Sequence, residues 1–279
     1  MPFAAAPPIS GFDRNGGPPM LILLSPAKQL DFSERGHAPT ATTPALLDRT
    51  RELAKTTAKL SSADLKSLMG LSDDLADLNR ERFKAFDPDA SDGRPAALTF
   101  NGEVYRGLDA PSLSADDLQW AQQRLRILSG LYGVLRPLDR IQPYRLEMGT
   151  RLHTKKAANL YEFWGDDIAE QLKADLAGHA SQTVVNLASN EYAKAAKLKS
   201  LGVPVVSADF KEEKDGQLRA LMVYAKKARG LMARWIIENR IEDAARLKEF
   251  DLEGYRYDAD GSSADKLLFT RPQPAPKKG

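Results

Sequence analysis

The residues best suited to chemistry are charged side chains that directly follow short apolar runs of the chain. Residues 126–151, R-I-L-S-G-L-Y-G-V-L-R-P-L-D-R-I-Q-P-Y-R-L-E-M-G-T-R, place Arg136 and Arg145 on a segment punctuated by glycines and prolines. Arginines can clamp a phosphate or a carboxylate through paired hydrogen bonds, and a nearby lysine or glutamate can act as acid or base. We therefore predict Lys28, Glu103 and Arg136 as catalytic residues. The alternative is a rigid surface connector whose charges are only solvated.

Further polar side chains follow predicted strands or occupy glycine turns in the same way. In α/β sheets, ligands bind beyond the carboxyl ends of the strands, so these side chains are expected in one pocket at one edge of the sheet. The sequence predicts this pocket and leaves catalysis open. Its predicted ligand-binding residues are Ser25, Asn101, Ser129, Tyr132, Tyr144, Arg145, Asn186, Ser189 and Asn190.

A second possible chemistry is contact with the phosphate backbone of DNA. Two short helices joined by M-G-L-S at residues 69–72 predict a helix-hairpin-helix, in which the backbone N–H groups around Gly70 and Ser72 face a phosphate. Ser72 stands where this motif usually has a second glycine, and aspartates in the next helix bring negative charge to the same place. A packed helical hairpin without DNA contact is the alternative.

The helix predicted at residues 225–240 is the most basic one in the chain. It contains Lys226, Lys227, Arg229 and Arg234, which we predict as phosphate contacts. Charged residues on a helix more often form only a solvated face, and that is the alternative here.

Strands and helices alternate along the chain, which is typical of a mixed α/β fold. The predicted strands are residues 20–24, 96–100, 126–129, 183–189, 254–257 and 266–269, with a hairpin of 203–211 and 218–224. The predicted helices lie within residues 43–86 and at 114–124, 159–176 and 225–240, with a further helix starting at 190. We predict a single α/β domain with a central mixed β-sheet, surrounding helices, a cleft and a helix-hairpin-helix-like segment.

Composition limits the size and the ends of this domain. The 279 residues, 42% of them hydrophobic, can bury a sizeable core, and the formal net charge of +2 is too small to indicate nucleic-acid binding by itself. We predict a disordered extension at 1–19, an α/β domain at 20–270 and a disordered basic tail at 271–279. The extension is rich in proline and glycine and lacks the apolar core of a signal peptide or a membrane span.

Metal and cofactor sites are not expected. The chain has no cysteine, and its three histidines, His37, His153 and His179, are far apart in the sequence. It also lacks a P-loop, a dinucleotide fingerprint and the paired acids of a carboxylate iron site. We therefore predict no metal and no cofactor, and the lack of cysteine fits a cytoplasmic protein.

Several long motifs occur in order along the chain. They are LILLSPAK at 21–28, FNGEVY at 100–105, LSGLYGVLRPLD at 128–139, PYRLEMG at 143–149 and NLASNEY at 186–192. With these motifs, the chain from Met20 to about Phe269 resembles the YaaA peroxide-stress family. The resemblance implies a cytosolic bacterial protein with an unusual α/β fold and a cleft. It further implies DNA binding associated with a helix-hairpin-helix, here at residues 65–83, and protection from hydroperoxide by keeping unincorporated iron low.

Two functions follow as hypotheses. The first is a DNA-binding stress protein that contacts the DNA backbone without sequence preference, so that its affinity falls steeply with salt. The second is an enzyme or sensor that acts on a nucleotide or nucleobase held in the polar cleft. A flipped base in the cleft would satisfy both.

Overall fold

A central mixed β-sheet of eight strands organises the computed structural model, which describes residues 20–33, 39–177 and 182–275. The predicted extension at 1–19 and the last four residues of the predicted tail lie outside the described residues. The α/β fold class with a central mixed sheet and surrounding helices is confirmed. Within the described part of the chain, no helix is long and apolar enough to cross a membrane.

The strands and helices have the following bounds. The strands are β1 (Met20–Leu24), β2 (Gln29–Leu30), β3 (Arg94–Pro95), β4 (Phe100–Asn101), β5 (Leu125–Ser129), β6 (Gly133–Leu135), β7 (Arg140–Ile141), β8 (Thr183–Asn186), β9 (Val205–Lys214), β10 (Gln217–Arg219), β11 (Arg256–Asp258) and β12 (Lys266–Pro272). The α-helices are α1 (Leu47–Thr57), α2 (Ser62–Met69), α3 (Asp73–Ala85), α4 (Ala96–Thr99), α5 (Glu103–Leu108), α6 (Ala115–Arg124), α7 (Leu160–Trp164), α8 (Asp167–Leu176), α9 (Asn190–Ala195) and α10 (Met222–Glu238).

The sheet has the strand order β11-β12-β9-β8-β1-β5-β6, and β10 also pairs with β9. Strands β12, β9, β8, β1 and β5 are parallel neighbours, whereas β11, β6 and β10 are antiparallel to theirs. Leu23 of β1 lies opposite Arg126 of β5 and Asn186 of β8. The chain segments that follow β1, β5 and β8 therefore leave the sheet at the same edge.

Strand β1 lies in the middle of this sheet, and all five of its residues are buried. A continuous apolar run is what a strand covered on both faces requires. Serine side chains cap the N-termini of three of the surrounding helices. Ser61 and Ser114 form capping boxes with Asp64 and Asp117, and Ser72 accepts the Leu75 N–H at the start of α3.

Three predicted elements were wrong in detail. Residues 96–99 of the predicted strand form helix α4, and only Phe100 is extended, because the Thr99 hydroxyl bonds to the Pro95 carbonyl and closes a helical turn. The predicted helix at 159–176 is two helices, because Gly165 has a φ of 50° between α7 and α8. The second strand of the hairpin ends at Arg219 because α10 begins at Met222.

Helices α5 and α10 cross with their backbones in direct contact. A Cβ atom added to Gly230 would lie 1.8 Å from the Val104 carbonyl oxygen, and one added to Gly107 would lie 2.1 Å from the Lys227 carbonyl oxygen. These distances are far below van der Waals contact, so only glycine fits at either position. The crossing fixes the distance between the two helices.

The last strand is held by a buried ion pair, which corrects the predicted start of the tail at 271. Arg271 lies in β12 and is 7% exposed, and its guanidinium lies 3.4 Å from the carboxylate of the fully buried Glu212. The Tyr255 hydroxyl donates to the same carboxylate at 2.5 Å, and the Tyr255 ring lies under the guanidinium. Burial, together with the adjacent Glu212 carboxylate, raises the pKa of Tyr255, so its hydroxyl stays a donor.

We expect Gly230→Ala to destabilise the protein. A Gly-to-Ala change in an open helix gains about 1 kcal/mol, but here the clash with the α5 backbone should cost more and leave a net loss of about 1–3 kcal/mol in the free energy of unfolding. Urea denaturation measures this difference. Val223→Ala on the exposed face of α10 is the matched control and should change stability little. A stability equal to or above that of the unaltered protein would contradict the backbone contact.

We expect Arg271→Met to lower the free energy of unfolding by about 3–5 kcal/mol, because it leaves the Glu212 carboxylate buried without its cation. The double variant Glu212→Gln with Arg271→Met removes both charges and should recover part of this loss. Urea denaturation of the two variants tests the pair, and equal stability of the single and double variants would show that no buried charge was left unpaired.

Candidate ligand-binding cleft

A cleft of about 490 Å³ opens at the edge where β1 and β8 end. The segments that line it are the turn after β1, the start of α5, residues 144–147, the start of α9 and one face of α10. Nine of the residues singled out in the sequence line this cleft. They are Ser25, Lys28, Asn101, Glu103, Tyr144, Arg145, Ser189, Lys226 and Arg229.

Hydrogen bonds join the segments that follow β1 and β8. The Ser25 hydroxyl oxygen accepts the Ser189 backbone N–H at 2.8 Å, and the two hydroxyl groups lie 3.3 Å apart. The Tyr105 hydroxyl of α5 donates to the Ser25 carbonyl at 3.0 Å. The segment after β1, the segment after β8 and helix α5 are thereby held to one another, so this part of the cleft is formed before any ligand binds.

One carboxylate bridges two cations on the wall of the cleft. Glu147 lies 2.7 Å from the Lys28 ammonium and 3.3 Å from the Arg145 guanidinium. On α5, Glu103 forms an ion pair with Arg106 one turn later. These acids neutralise part of the positive charge and leave the nitrogen atoms of Lys28 and Arg145 at the surface of the cleft, where an anionic ligand could replace or join the carboxylate.

Two further cations of the cleft have no acidic partner in the part of the chain that the structure describes. Among the described residues, neither Lys226 nor Arg229 of α10 has a carboxylate within ion-pair distance, and the buried Nε of Arg229 has no hydrogen-bond acceptor. Burial lowers the pKa of the half-buried Arg229, and the more distant Asp209 carboxylate opposes this shift. A buried donor without an acceptor costs free energy, which a bound anion would recover.

Three buried tyrosines stand behind and beside these charges. Burial raises the pKa of Tyr105, Tyr144 and Tyr192, so all three phenols remain protonated at neutral pH. The Tyr144 and Ser129 hydroxyls lie 2.7 Å apart. Of the three, Tyr144 and Tyr192 line the cleft and give it an aromatic surface.

Five predicted site residues do not line the cleft. Arg136 bonds to the buried Asp139 carboxylate and to the Thr43 carbonyl, because the chain reverses through β6 and turns away from the edge. The predicted clamp of Arg136 with Arg145 is therefore not formed. Ser129 and Tyr132 are buried behind Tyr144, and Asn186 bonds to Ala188 and Ser207. Asn190 is exposed outside the cleft.

The predicted DNA contacts lie in two separate places, the hairpin between α2 and α3 and the helix α10. Gly70 ends α2 in a left-handed conformation, but Ser72 already caps α3, and Asp73 forms an ion pair with Lys66 at that end. On α10, Lys227 pairs with Glu253, and Arg234 pairs with Glu238 at 2.7 Å. These residues are outside the cleft, and DNA contact by them stays a prediction.

Sequence reasoning missed several residues of the cleft. Glu147, Arg106, Glu191 and Met222 line it and were not predicted as site residues. The sequence did contain a signal for two of them. Glu147 lies two residues after Arg145, and Arg106 lies one helical turn after Glu103. No group of three or more potential metal ligands occurs among the residues that the structure describes.

Comparison with known proteins gives one family. The family model described as peroxide stress protein YaaA matches residues 20–261. The chain is 61% identical to a UPF0246 protein of Maricaulis maris over 256 residues, which cover 92% of this chain and 97% of the relative. It is 57% identical to a UPF0246 protein of Caulobacter vibrioides over 91% of this chain and all of the relative. A UPF0246 protein of Ruegeria pomeroyi is 51% identical over 91% of this chain and 99% of its own length.

We expect Glu147→Gln to raise the affinity of the cleft for dAMP by about three- to tenfold. The variant removes a carboxylate that repels an anionic ligand and occupies Lys28 and Arg145, and partly exposed ion pairs contribute about 1 kcal/mol. Isothermal titration calorimetry measures the affinity.

Glu238→Gln is the matched control, because Glu238 also pairs with an arginine but lies outside the cleft. Weaker binding of dAMP by Glu147→Gln would show that the carboxylate supports the ligand and does not compete with it.

Proposed function

The chain belongs to the family of the peroxide stress protein YaaA, and we propose that it protects the cytosol from hydroperoxide by binding DNA through the cleft and by helping to keep free iron low. Membership of the family supports a role in peroxide stress. DNA binding and the effect on iron are the parts of the proposal that go further.

The observation that best supports DNA binding is the pair of unpartnered cations in the cleft. Lys226 and Arg229 lie one turn apart on α10 and line the cleft without acidic partners among the described residues. Other charged residues of α10, such as Lys227 and Arg234, are already neutralised by glutamates. A phosphate is the ligand that matches two such cations beside Arg145.

The size and the surface of the cleft suit one nucleotide. Ligand sites in proteins commonly have volumes of about 300–1,000 Å³, and this cleft has 490 Å³. We propose that a nucleotide of a single strand, or one extruded from a duplex, places its phosphate against Lys226 and Arg229. Its base would lie near the Tyr144 and Tyr192 side chains, where stacking is indifferent to sequence.

The hairpin between α2 and α3 is a less favourable place for the main DNA contact. Asp73 and Asp74 lie in the first turn of α3, and the Ser72 side chain already accepts a hydrogen bond from the Leu75 N–H group. A phosphate there would meet negative charge and an already satisfied donor. We therefore propose the cleft as the principal contact and the hairpin as an auxiliary one.

The proposed effect on iron acts at the level of the cell. Hydroperoxide damages DNA through unincorporated iron, so a protein that lowers this pool protects DNA without contacting peroxide. Cells with the cleft variants described below should be more sensitive to hydrogen peroxide, and an iron chelator should restore their growth. If the chelator did not relieve the sensitivity to hydrogen peroxide, the protective effect of the protein would not depend on iron.

A second candidate function is an enzyme or sensor for a nucleotide or nucleobase. The observation that favours it is the arrangement of Lys28, Glu147 and Arg145 on the same cleft as Glu103 and Arg106. A surface that only grips DNA backbone needs no carboxylates beside its cations. Incubation of the protein with free nucleotides, followed by chromatography, would detect a product, and its absence with measurable binding would favour the sensor.

We expect Lys226→Gln with Arg229→Gln to weaken binding of single-stranded DNA. Loss of two phosphate contacts should lower the slope of log affinity against log salt concentration by about 1.4, since each contact to a single strand contributes about 0.7. Fluorescence anisotropy with a labelled oligonucleotide across a salt series measures both the affinity and the slope.

The matched control is Lys227→Gln with Arg234→Gln, which removes the same charges from the same helix at positions that already have acidic partners. The control should bind nearly as the unaltered protein does. Equal losses in the two variants would mean that α10 acts only through its overall charge, and no loss in either would refute DNA binding in the cleft.

A further inference from the structure

A second cleft, of about 300 Å³, lies between the end of α1 and the loop before α7. Four lysines line it, with the hydroxyl groups of two threonines beside them. The lysines are Lys55, Lys59, Lys155 and Lys156, and the threonines are Thr56 and Thr154. None of these residues was predicted as a site from the sequence.

The acidic residues around this second cleft are engaged elsewhere. The Glu162 carboxylate accepts the Ala158 backbone N–H and the Asn159 side-chain amide, both at 2.8 Å. Glu52 pairs with Arg49, whose guanidinium also bonds to Asp167 at 2.6 Å.

The four lysines themselves have no acidic partner among the described residues. All four are exposed. Like charges held together in this way repel one another, and bound phosphates would relieve that repulsion.

The two clefts are connected by the same chain segments. The loop that supplies Arg145 and Glu147 to the first cleft continues to Lys155 and Lys156 of the second. Helix α7 contacts both sides, because Glu162 lines the second cleft while the neighbouring Tyr161 hydroxyl donates to the Glu191 carbonyl at 3.2 Å.

Further residues lie on the chain segments that connect the clefts or on helix α9 next to α7. Glu191 lines the first cleft and accepts the Gly149 N–H at 2.8 Å. The Lys194 ammonium lies 4.6 Å from the centre of the Tyr161 ring, and Arg151 is exposed on the connecting loop. The connecting loop and helix α9 therefore each carry a cationic side chain in addition to those of the two clefts.

We propose that the second cleft binds the phosphate backbone of the nucleic-acid strand whose nucleotide enters the first cleft. Lysine ammonium groups on flexible stems suit phosphates of variable position. Arginine and lysine can also contact guanine, but Arg49 in the lining already pairs with Glu52 and Asp167, and the four exposed lysines match a charged phosphate better than a neutral base edge. The proposed contact is therefore with the backbone and is indifferent to sequence. The inference rests on the proposed function of the first cleft.

The test compares Lys155→Gln with Lys156→Gln in the full chain against Lys173→Gln with Lys197→Gln. The control lysines are already paired with Glu170 and Asp166. Two probes are used, a labelled single-stranded oligonucleotide of about 20 nucleotides and dAMP, a single nucleotide with no neighbouring phosphates to reach the second cleft when it is bound in the first. We expect the Lys155 and Lys156 variant to lower the salt slope for the oligonucleotide by about 1.4 and its affinity by about tenfold, with unchanged affinity for dAMP.

The salt slope could be unchanged in this variant and reduced in Lys226→Gln with Arg229→Gln. That result would overturn phosphate binding by the second cleft and leave the proposed function standing. The opposite pattern would support the second cleft as a phosphate site and overturn the proposed role of the first. Equal effects of the Lys155 and Lys156 variant and its control would also overturn the inference, because the loss would then follow net charge alone. Failure of the unaltered protein to bind the oligonucleotide would overturn both.

Discussion

The backbone contact between α5 and α10 is the constraint on which the cleft depends. Gly107 and Gly230 let the two helices approach until the carbonyl oxygen of one occupies the place of a Cβ atom on the other. Glu103 and Arg106 extend from one helix, and Lys226 and Arg229 from the other, onto the same cleft. A larger residue at the crossing would separate the helices and widen the cleft, so the geometry of the site is set by two residues that do not line it.

The protein contains two kinds of charged cluster, which differ in whether their charges are balanced. Arg271 and Glu212 lie within the fold, where the Tyr255 hydroxyl and the Glu253 carboxylate complete the pair. Such a cluster holds β12 in place and has no charge left for a ligand. In the cleft, by contrast, the half-buried Arg229 has no carboxylate within ion-pair distance among the residues that the structure describes. A cation in that state lowers the stability of the free protein and favours an anionic partner, which distinguishes a binding site from a structural ion pair.

Strands and helices that depend on neighbouring residues could be predicted from the sequence. Contacts between residues that are far apart in the sequence could not. The strand at 20–24 and the helix at 114–124 are each determined by residues close in sequence, and the structure has both. The Gly107 and Gly230 crossing joins distant residues, and no local pattern indicates it. The predicted place of Arg136 in the site was wrong for the same reason. Its position after an apolar strand suggested a site, but the reversal at β6 and the bond to Asp139 direct it elsewhere. Ser25, Lys28 and Ser189 line one cleft because β1 and β8, the strands they follow, end at one edge of the sheet.

The central claim is that the cleft between α5 and α10 holds a nucleotide of bound DNA. Hydrogen exchange of the unaltered protein, with and without a saturating single-stranded oligonucleotide, tests it most directly. The account predicts slower exchange at the backbone amides of Lys28, Glu103, Glu147 and Ser189, which line the cleft on four separate segments. Protection confined to α2 and α3, with no change at these four amides, would place the DNA on the hairpin and contradict the account.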